Sequence, residues 1–218
     1  MKRSCAYVLT SSKRKGGLAR FPEAPSFDLD LFVFKYTDSA GSKDGKMVMI
    51  FMDAEFTGLD QVKPDLISIG LVDEAGHEFY AELPPSHYAV QCNEWVHFNV
   101  LPHLWGGKYV QSVAEIRSRL RTWISRIQEQ AVIVNDCPDS DFRLLLWLLP
   151  DWPQNLDLEP ILFTAWAMGV DAQPELEARM ARYHTGDRPA HHALHDAHSL
   201  RIGAMYAREN GWNYKLLQ

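Results

Sequence analysis

Residues Met47–Asp53 read MVMIFMD, and this stretch decides the fold of the 218-residue chain. It is an uninterrupted apolar run as long as one β-strand, which is typical of a strand buried on both faces at the centre of a sheet. The run ends in a carboxylate, and Glu55 follows two positions later. Because side chains alternate along a strand, Asp53 and Glu55 are expected to lie on the same side of the backbone.

Three more segments predict strands of the same sheet. Leu66–Val72 (LISIGLV) is a second apolar run. The turn residues 73–76 separate it from the alternating segment Glu78–Leu83, and this order indicates a hairpin. Ala131–Val134 (AVIV) predicts a fourth strand.

Four segments have the pattern of helices, from apolar residues at helical spacing or from the position of a proline or glycine that ends them. They are Gln111–Ile127, Phe142–Leu149, Pro174–Tyr183 and Ala193–Asn210. The order of three strands, a helix, a strand and further helices predicts a mixed sheet with helices packed on its faces, which is an α/β fold. Residues 151–170 fit neither pattern clearly.

The charge of the chain is unevenly distributed. The formal net charge is −6, yet the first 22 residues carry six basic and no acidic side chains. Residues 36–46 are polar and contain glycine, which is typical of a linker. We therefore expect residues 1–46 to form a basic N-terminal arm and linker, and residues 47–218 to form one compact domain. An acidic domain can still bind phosphate if its carboxylates hold divalent cations.

The sequence argues against several classes of protein. No run approaches the roughly 18 consecutive apolar residues of a membrane span, so no membrane partner is expected. Residues 5–9 are too short for the apolar core of a secretory signal. Cys5, Cys92 and Cys137 are odd in number and contain no CxxC pair, which excludes a disulfide framework and favours a reducing compartment. A cytoplasmic location is therefore expected.

Asp53 and Glu55 are the first of three polar groups that can carry chemistry. Two adjacent carboxylates repel each other by roughly 4 kcal/mol at an effective dielectric constant near 20. Such a pair usually shares a proton or binds a cation. A DxE sequence at a strand end is, by itself, more often a pair of solvated turn residues. The pair therefore indicates a cation-binding site only in combination with the other two groups.

The second group follows the fourth predicted strand, in the segment Asn135–Asp141 (NDCPDSD). If that strand neighbours the first, this turn lies beside the DxE pair. Asp139 or Ser140 would suit the N-cap of the next helix, where a cap is worth about 1 kcal/mol. Asp141 directly precedes the apolar helical face, so its carboxylate would be held on a rigid element, and we favour it as a ligand.

The third group is His191–His198 (HHALHDAH). His191 and Asp196 are five positions apart, and on a regular helix they would point about 140° away from each other. Pro189 favours a helix that starts after it, because proline is tolerated in a first turn but not inside a helix. His191 is therefore expected to act from the loop before the helix and Asp196 from the helix itself.

Two other uses of these histidines are weaker. A zinc site built from His191, His195 and His198 would leave Asp53 and Glu55 unexplained. A hydrolase of the HD type would need a further aspartate, and no aspartate follows Asp196. The chain also contains no GxSxG nucleophile motif and no glycine-rich phosphate loop.

Taken together, the three groups resemble the DEDD superfamily of 3′-5′ exonucleases in its DEDDh branch, which includes RNase T, oligoribonuclease and proofreading exonucleases. The resemblance rests on FMDAEFTGL at 51–59, on DFRLL at 141–145 and on HHALHDA at 191–197. The stretch Trp95–Pro102 (WVHFNVLP) is similar to small bacterial and phage exoribonucleases of this group. The resemblance spans about Met47–Ala207 and does not cover the first 46 residues.

The resemblance implies an RNase H-like exonuclease fold with a mixed five-stranded sheet and helices on both faces. It implies a fifth strand, which we expect within residues 154–163. It also implies that four carboxylates hold two Mg²⁺ or Mn²⁺ ions, those of Asp53, Glu55, Asp141 and Asp196. His191 would be the general base. Asn135 and Asp139 also have a spacing used in the family and Asp136 is close by, so Asp136 and Asp139 stay open as alternatives to Asp141.

The function that the resemblance implies is the release of nucleoside 5′-monophosphates from the 3′ ends of single-stranded nucleic acid. Phe56 and Leu59 would contact the terminal bases, or would simply pack in the protein. RNA is the expected substrate because of the Trp95–Pro102 similarity. A DNA exonuclease of repair or proofreading and a catalytically silent nucleic-acid-binding module are the alternatives. By analogy with relatives, a homodimer is also expected.

Overall fold

The computed structural model describes residues 47–164 and 173–211. The expected basic arm and linker, residues 1–46, lie outside the described residues. Residues 165–172 and 212–218 are also outside the described part.

The core of the structure is a mixed five-stranded sheet. Its strands are β1 Val48–Phe56, β2 Leu66–Asp73, β3 Glu78–Glu82, β4 Ala131–Asn135 and β5 Ile161–Leu162. Their order across the sheet is β3-β2-β1-β4-β5, with antiparallel pairing from β3 to β1 and parallel pairing from β1 to β5. The predicted central strand therefore lies at the centre, and the fifth strand falls within the expected segment.

Six α-helices accompany the sheet in the described residues. They are α1 Pro85–Tyr88, α2 Glu94–Asn99, α3 Val113–Ile124, α4 Asp141–Leu148, α5 Gln173–Tyr183 and α6 Ala193–Glu209. The amino-acid pattern does not predict α1 and α2, because four and six residues are too few to show a helical period. Helix α3 begins later than predicted because Ser112 and Glu115 form a capping box at its start.

The two faces of the sheet carry separate apolar cores. On β1, Ile50 and Met52 belong to the core under α1–α4, whereas Met49 and Phe51 belong to the core under α5 and α6. Alternation along the strand thus divides the side chains between two helical layers. The prediction of helices on both faces is confirmed.

Gly70 in β2 sets the distance between the sheet and α6. A Cβ atom at this position would lie 2.3 Å from the backbone nitrogen of Leu194, in the first turn of the helix. Gly70 is also the register partner of Asp53 in β1. Glycine inside a strand often marks such a close approach, and here it allows the start of α6 to reach the level of Asp53.

None of the helices within residues 47–164 and 173–211 is long and apolar enough to cross a membrane.

Candidate active site

Asp53 and Glu55 lie inside β1, which continues through Phe56, three residues beyond the predicted end of the strand. They have the same parity as Met49 and Phe51, whose side chains pack under α5 and α6. Both acids therefore face the helical layer that contains α6. As predicted, one strand directs two carboxylates to one side of the sheet.

Asp53, Asp136 and Asp141 form one group of acids. Each offers a carboxylate oxygen, and these oxygens lie within 4.8 Å of one another. Asp136 is exposed after β4, and Asp141 is the buried first residue of α4. The parallel pairing of β1 with β4 brings the two segments together, because the carboxyl ends of parallel neighbours meet at the same edge.

Of the three candidates in the loop after β4, Asp136 and Asp141 join Asp53, whereas Asp139 belongs to neither acidic group that the described residues form. Ser140 occupies the N-cap position of α4, but its side chain makes no capping hydrogen bond. The geometry therefore keeps Asp141 as a candidate ligand and leaves Asp136 as its alternative or companion.

Glu55, His191 and Asp196 form the second group, again with one ligand atom from each residue within 4.8 Å of the others. Glu55 is buried, and the other two side chains are half-buried. The backbone N–H of His191 donates a hydrogen bond of 3.0 Å to Oδ2 of Asp196. The structure thus brings all five predicted catalytic and metal-ligating residues into two adjoining groups.

The chain reaches this arrangement through an unusual conformation at His191. Its φ angle is +63°, in the left-handed region that few residues other than glycine adopt, although Asn, Asp and His are enriched there. His192 is then the N-cap of α6, which begins at Ala193. The prediction that the histidine acts from the loop and Asp196 from the helix is consistent with this placement.

Electrostatic repulsion is strong in the acidic groups. Burial is the largest cause that raises the pKa of Asp53 well above its usual range, and the carboxylates of Asp196, Asp141, Glu55 and Asp136 raise it further. Burial also raises the pKa of Asp141, with added repulsion from Asp136, Glu55 and Asp196. Carboxylates in such a cluster stay ionised at neutral pH only if cations offset their charge.

The donor atoms fit divalent cations of the hard type. Four of the five predicted residues and Asp136 offer carboxylate oxygens, the ligands that Mg²⁺ and Mn²⁺ favour. Each of the two groups offers ligand atoms close enough together to hold a cation, and Asp53 is repelled by carboxylates from both groups. Bound cations would offset both the burial of these carboxylates and their mutual repulsion, so the folded protein favours cation binding at this place.

Phe56 and Leu59 differ in their surroundings. Phe56 is the last residue of β1, not part of the following turn, and it packs against the core under α1–α4. Leu59 lies in the loop after β1 and is 68% exposed. Phe56 is thus partly engaged in packing and Leu59 is open to a ligand, and contact of either residue with bases stays a prediction.

Two residues near the site were not predicted as members of it. The indole ring of Trp95, in α2, lies 4.8 Å from the imidazole of His191 in an edge-on arrangement and is half exposed. The Nε2 atom of His184, which directly follows α5, lies 3.4 Å from Oδ1 of Asp196. Trp95 belongs to the stretch quoted for its family similarity, but nothing in the local sequence singles out His184.

Among the described residues, the structure does not form the alternative zinc site. His191, His195 and His198 do not form a metal-ligating group in the part of the chain that the structure describes. His195 instead contacts the carbonyl of Pro189 at 3.3 Å, and His198 pairs with Glu78 at 2.7 Å. These histidines hold α6 to its neighbours.

His192 is fully buried in an aromatic stack. Its ring stacks on Tyr80 and His195, with centroid distances of 4.5 and 4.2 Å, and lies 4.5 Å from Trp105. Neither ring nitrogen has a hydrogen-bond partner among the described residues. Burial, with help from the neighbouring His195, lowers the pKa of His192 to about 3. It is a neutral packing residue beside the proposed base.

Comparison with known proteins identifies the fold. No family model and no curated protein matches the chain. Among solved structures, the chain resembles the zinc-bound form of an Escherichia coli ExoI complex with single-stranded DNA, at a TM-score of 0.50 and 10% identity. The match covers 78% of this chain and 42% of the ExoI chain.

The RNase H-like exonuclease fold is therefore confirmed. At this level of identity the likeness concerns the fold, so any function must be argued from the site itself. The chain spans less than half of the solved chain it matches.

Proposed function

We propose that the protein is a metal-dependent 3′-5′ exonuclease that releases nucleoside 5′-monophosphates from single-stranded nucleic acid, with RNA preferred over DNA. One observation carries the proposal: Asp53, Glu55, Asp141, Asp196 and His191 come from three distant segments and meet at one edge of the sheet. A scaffold or silent binding module would have no need to gather repelling carboxylates at a cost in stability.

In this proposal Asp53, Glu55, Asp141 and Asp196 hold two divalent ions, with Mg²⁺ or Mn²⁺ favoured by the oxygen ligands. When bound, such a pair of ions supplies activation of the attacking water and neutralises charge on the phosphate and on the leaving 3′ oxygen. The four side chains contribute by fixing these charges in place before substrate arrives.

His191 acts as the general base and takes a proton from the attacking water. The neutral form of an imidazole can accept this proton, which is the role that histidine most often has in general-base catalysis. One ring nitrogen of His191 lies within 4.8 Å of a carboxylate oxygen of Glu55 and of Asp196, so the base is beside the acids that would bind the ions.

Leu59 and Trp95 supply apolar surface for the bases at the 3′ end. Both side chains are more than half exposed, so a ligand can reach them. Flat and apolar side chains contact the bases of single strands without sequence preference. A paired duplex end keeps its bases stacked inside, so single strands suit this surface better.

The preference for RNA rests on the similarity of Trp95–Pro102 to small exoribonucleases. A DNA exonuclease is the second candidate, because the solved neighbour of the same fold is a complex with single-stranded DNA. Only RNA offers a 2′-hydroxyl for a protein to read, so the two candidates differ in how the terminal sugar is bound.

The test is degradation of matched 5′-labelled oligonucleotides, one RNA and one DNA, in Mg²⁺ and in Mn²⁺. The proposal predicts shortening from the 3′ end with release of 5′-monophosphates, faster for RNA, and no shortening in EDTA. The matched control is Asp53→Asn, which keeps the size of the side chain and removes the charge. Faster loss of the DNA would favour the second candidate. If the wild-type protein degrades neither strand in either metal, the proposal is wrong.

A further inference from the structure

His184 directly follows α5 and reaches across to α6. Its Nε2 atom lies 3.4 Å from Oδ1 of Asp196, and the two side chains are only 16% and 12% exposed. A contact between two largely buried polar groups is better protected from water and salt than a surface pair. The contact is therefore able to restrict the carboxylate.

The other oxygen of Asp196 is held by a second segment, the loop that precedes α6. Oδ2 accepts the backbone N–H of His191 at 3.0 Å. One oxygen thus faces the loop before α6 and the other faces the end of α5. A carboxylate that is approached at both oxygens has little freedom to rotate away from a bound ion.

The position of His184 is fixed by the packing of α5 on α6. Ser199 donates a hydrogen bond of 3.1 Å to the carbonyl of Met180. The ring of Tyr183 stacks on that of His198, with an interplanar angle of 21° and a centroid distance of 5.6 Å. These contacts flank the His184–Asp196 contact and hold the end of α5 against the first turns of α6.

We propose that His184 is a positioning residue that orients the Asp196 carboxylate for metal binding. The inference rests on the proposed function, because it assumes that Asp196 is a metal ligand. Groups that orient a ligand from outside the coordination sphere typically change metal affinity by about 10- to 100-fold when they are removed. His184 itself does not contact the reacting atoms in this proposal.

The experiment measures Mn²⁺ binding without substrate, by titration followed by electron paramagnetic resonance. His184→Ala is expected to weaken Mn²⁺ binding by about 10- to 100-fold. His184→Gln should recover part of the affinity, because its amide keeps a polar group close to Oδ1. The control is His77→Ala, at an exposed histidine in the β2–β3 turn, which should bind Mn²⁺ as the wild type does.

Two further measurements separate positioning from a general structural effect. At saturating metal, His184→Ala should regain most of its turnover rate while needing more metal for half-maximal rate. In an Asp196→Asn background, the same change should have no additional effect on Mn²⁺ affinity. Circular dichroism in EDTA checks that each variant is folded.

The results distinguish the two proposals. If the wild-type protein binds Mn²⁺ and a folded His184→Ala variant binds it equally well, or if His184→Gln recovers none of the affinity that His184→Ala loses, the role of His184 is wrong and the exonuclease proposal stands. If the wild-type protein binds no Mn²⁺, both proposals are overturned.

Discussion

Gly70 lies so close to Leu194 that a single added carbon would come within 2.3 Å of the backbone nitrogen of Leu194. Since Gly70 is also paired with Asp53 across the β1–β2 ladder, the same contact sets how near α6 comes to the acidic groups. The approach of the helix is thus coupled to the geometry of the proposed metal site.

Gly70→Ala is expected to push the start of α6 away from the sheet. The overpacking should lower the free energy of unfolding by about 1–3 kcal/mol and should also weaken Mn²⁺ binding, because Asp196 moves with the helix. Urea unfolding and Mn²⁺ titration check both effects. Gly186→Ala is the control, because a Cβ at Gly186 would meet open space. Equal stability of the two variants would contradict the packing argument.

Asp53→Asn is expected to stabilise the metal-free protein at neutral and alkaline pH. Burial and repulsion raise the pKa of Asp53 in the folded state, so the folded protein binds this proton more tightly than the unfolded chain does. The associated stability is present at pH values below the ordinary aspartate pKa and is lost as the pH rises through the raised pKa. The asparagine variant has no titrating group at this position, so its free energy of unfolding does not fall in this way as the pH rises.

Urea unfolding in EDTA at pH 8 and pH 5 measures this difference. The variant should be more stable than the wild type at pH 8, and its advantage should shrink at pH 5. Saturating Mg²⁺ should reverse the order at pH 8, since ligand that binds only the folded state adds stability to the protein that still binds it. A variant that is less stable than the wild type in EDTA at pH 8 would contradict the repulsion argument.

His191→Asn is expected to separate general-base chemistry from metal binding. Asparagine tolerates the left-handed backbone that His191 adopts, and it keeps the N–H that holds Asp196. The turnover rate should fall by about 10²- to 10⁴-fold, the usual contribution of a general base, while Mn²⁺ affinity changes little. Single-turnover assays and Mn²⁺ titration give the two values, and a large loss of Mn²⁺ affinity would instead make His191 a ligand.

His192→Phe is expected to make the fold less sensitive to acid. Burial lowers the pKa of His192 to about 3, against about 6.5 in an unfolded chain. The stability that comes from burying the neutral ring is complete above pH 6.5 and is lost as the pH falls toward 3, by at most about 1.4 kcal/mol per pH unit. Phenylalanine can fill the same aromatic stack and has no proton to bind.

The measurement for His192→Phe is the difference in unfolding free energy from the wild type at pH 7.5 and at pH 5, in EDTA. The difference should shift in favour of the variant at pH 5. If this difference in unfolding free energy is the same at pH 7.5 and pH 5, the burial argument is wrong, and the charged ring of His192 is hydrated or hydrogen-bonded in the folded protein.

Much of this architecture can be predicted from local pattern. The runs MVMIFMD and LISIGLV are long enough and apolar enough to indicate buried strands, and Pro189 correctly indicates a helix start after it. Helices α1 and α2 were missed because they are shorter than the window that a helical period needs. The predicted end of β1 at Asp53 is three residues too early, because the apolar run stops there whereas the strand continues through Glu55 and Phe56.

The acidic residues of the candidate site can be predicted because they lie in recognisable motifs. The residues that position them are harder to predict. His184 meets Asp196 only through the packing of α5 on α6, which no spacing in the sequence encodes. Gly70 had a readable signal, since glycine inside an apolar strand often marks a close backbone approach. The RNA preference, the homodimer and the cytoplasmic location stay predictions.

The most direct measurement of the central claim is a crystal of the protein soaked in Mn²⁺ and recorded at the manganese absorption edge. The account predicts two anomalous peaks about 3.5–4 Å apart, one at the Glu55–Asp196 group and one at the Asp53–Asp141 group, with Asp136 at the rim of the second. Both peaks should weaken in Asp53→Asn. A fully soaked crystal with no manganese between these carboxylates would contradict the account.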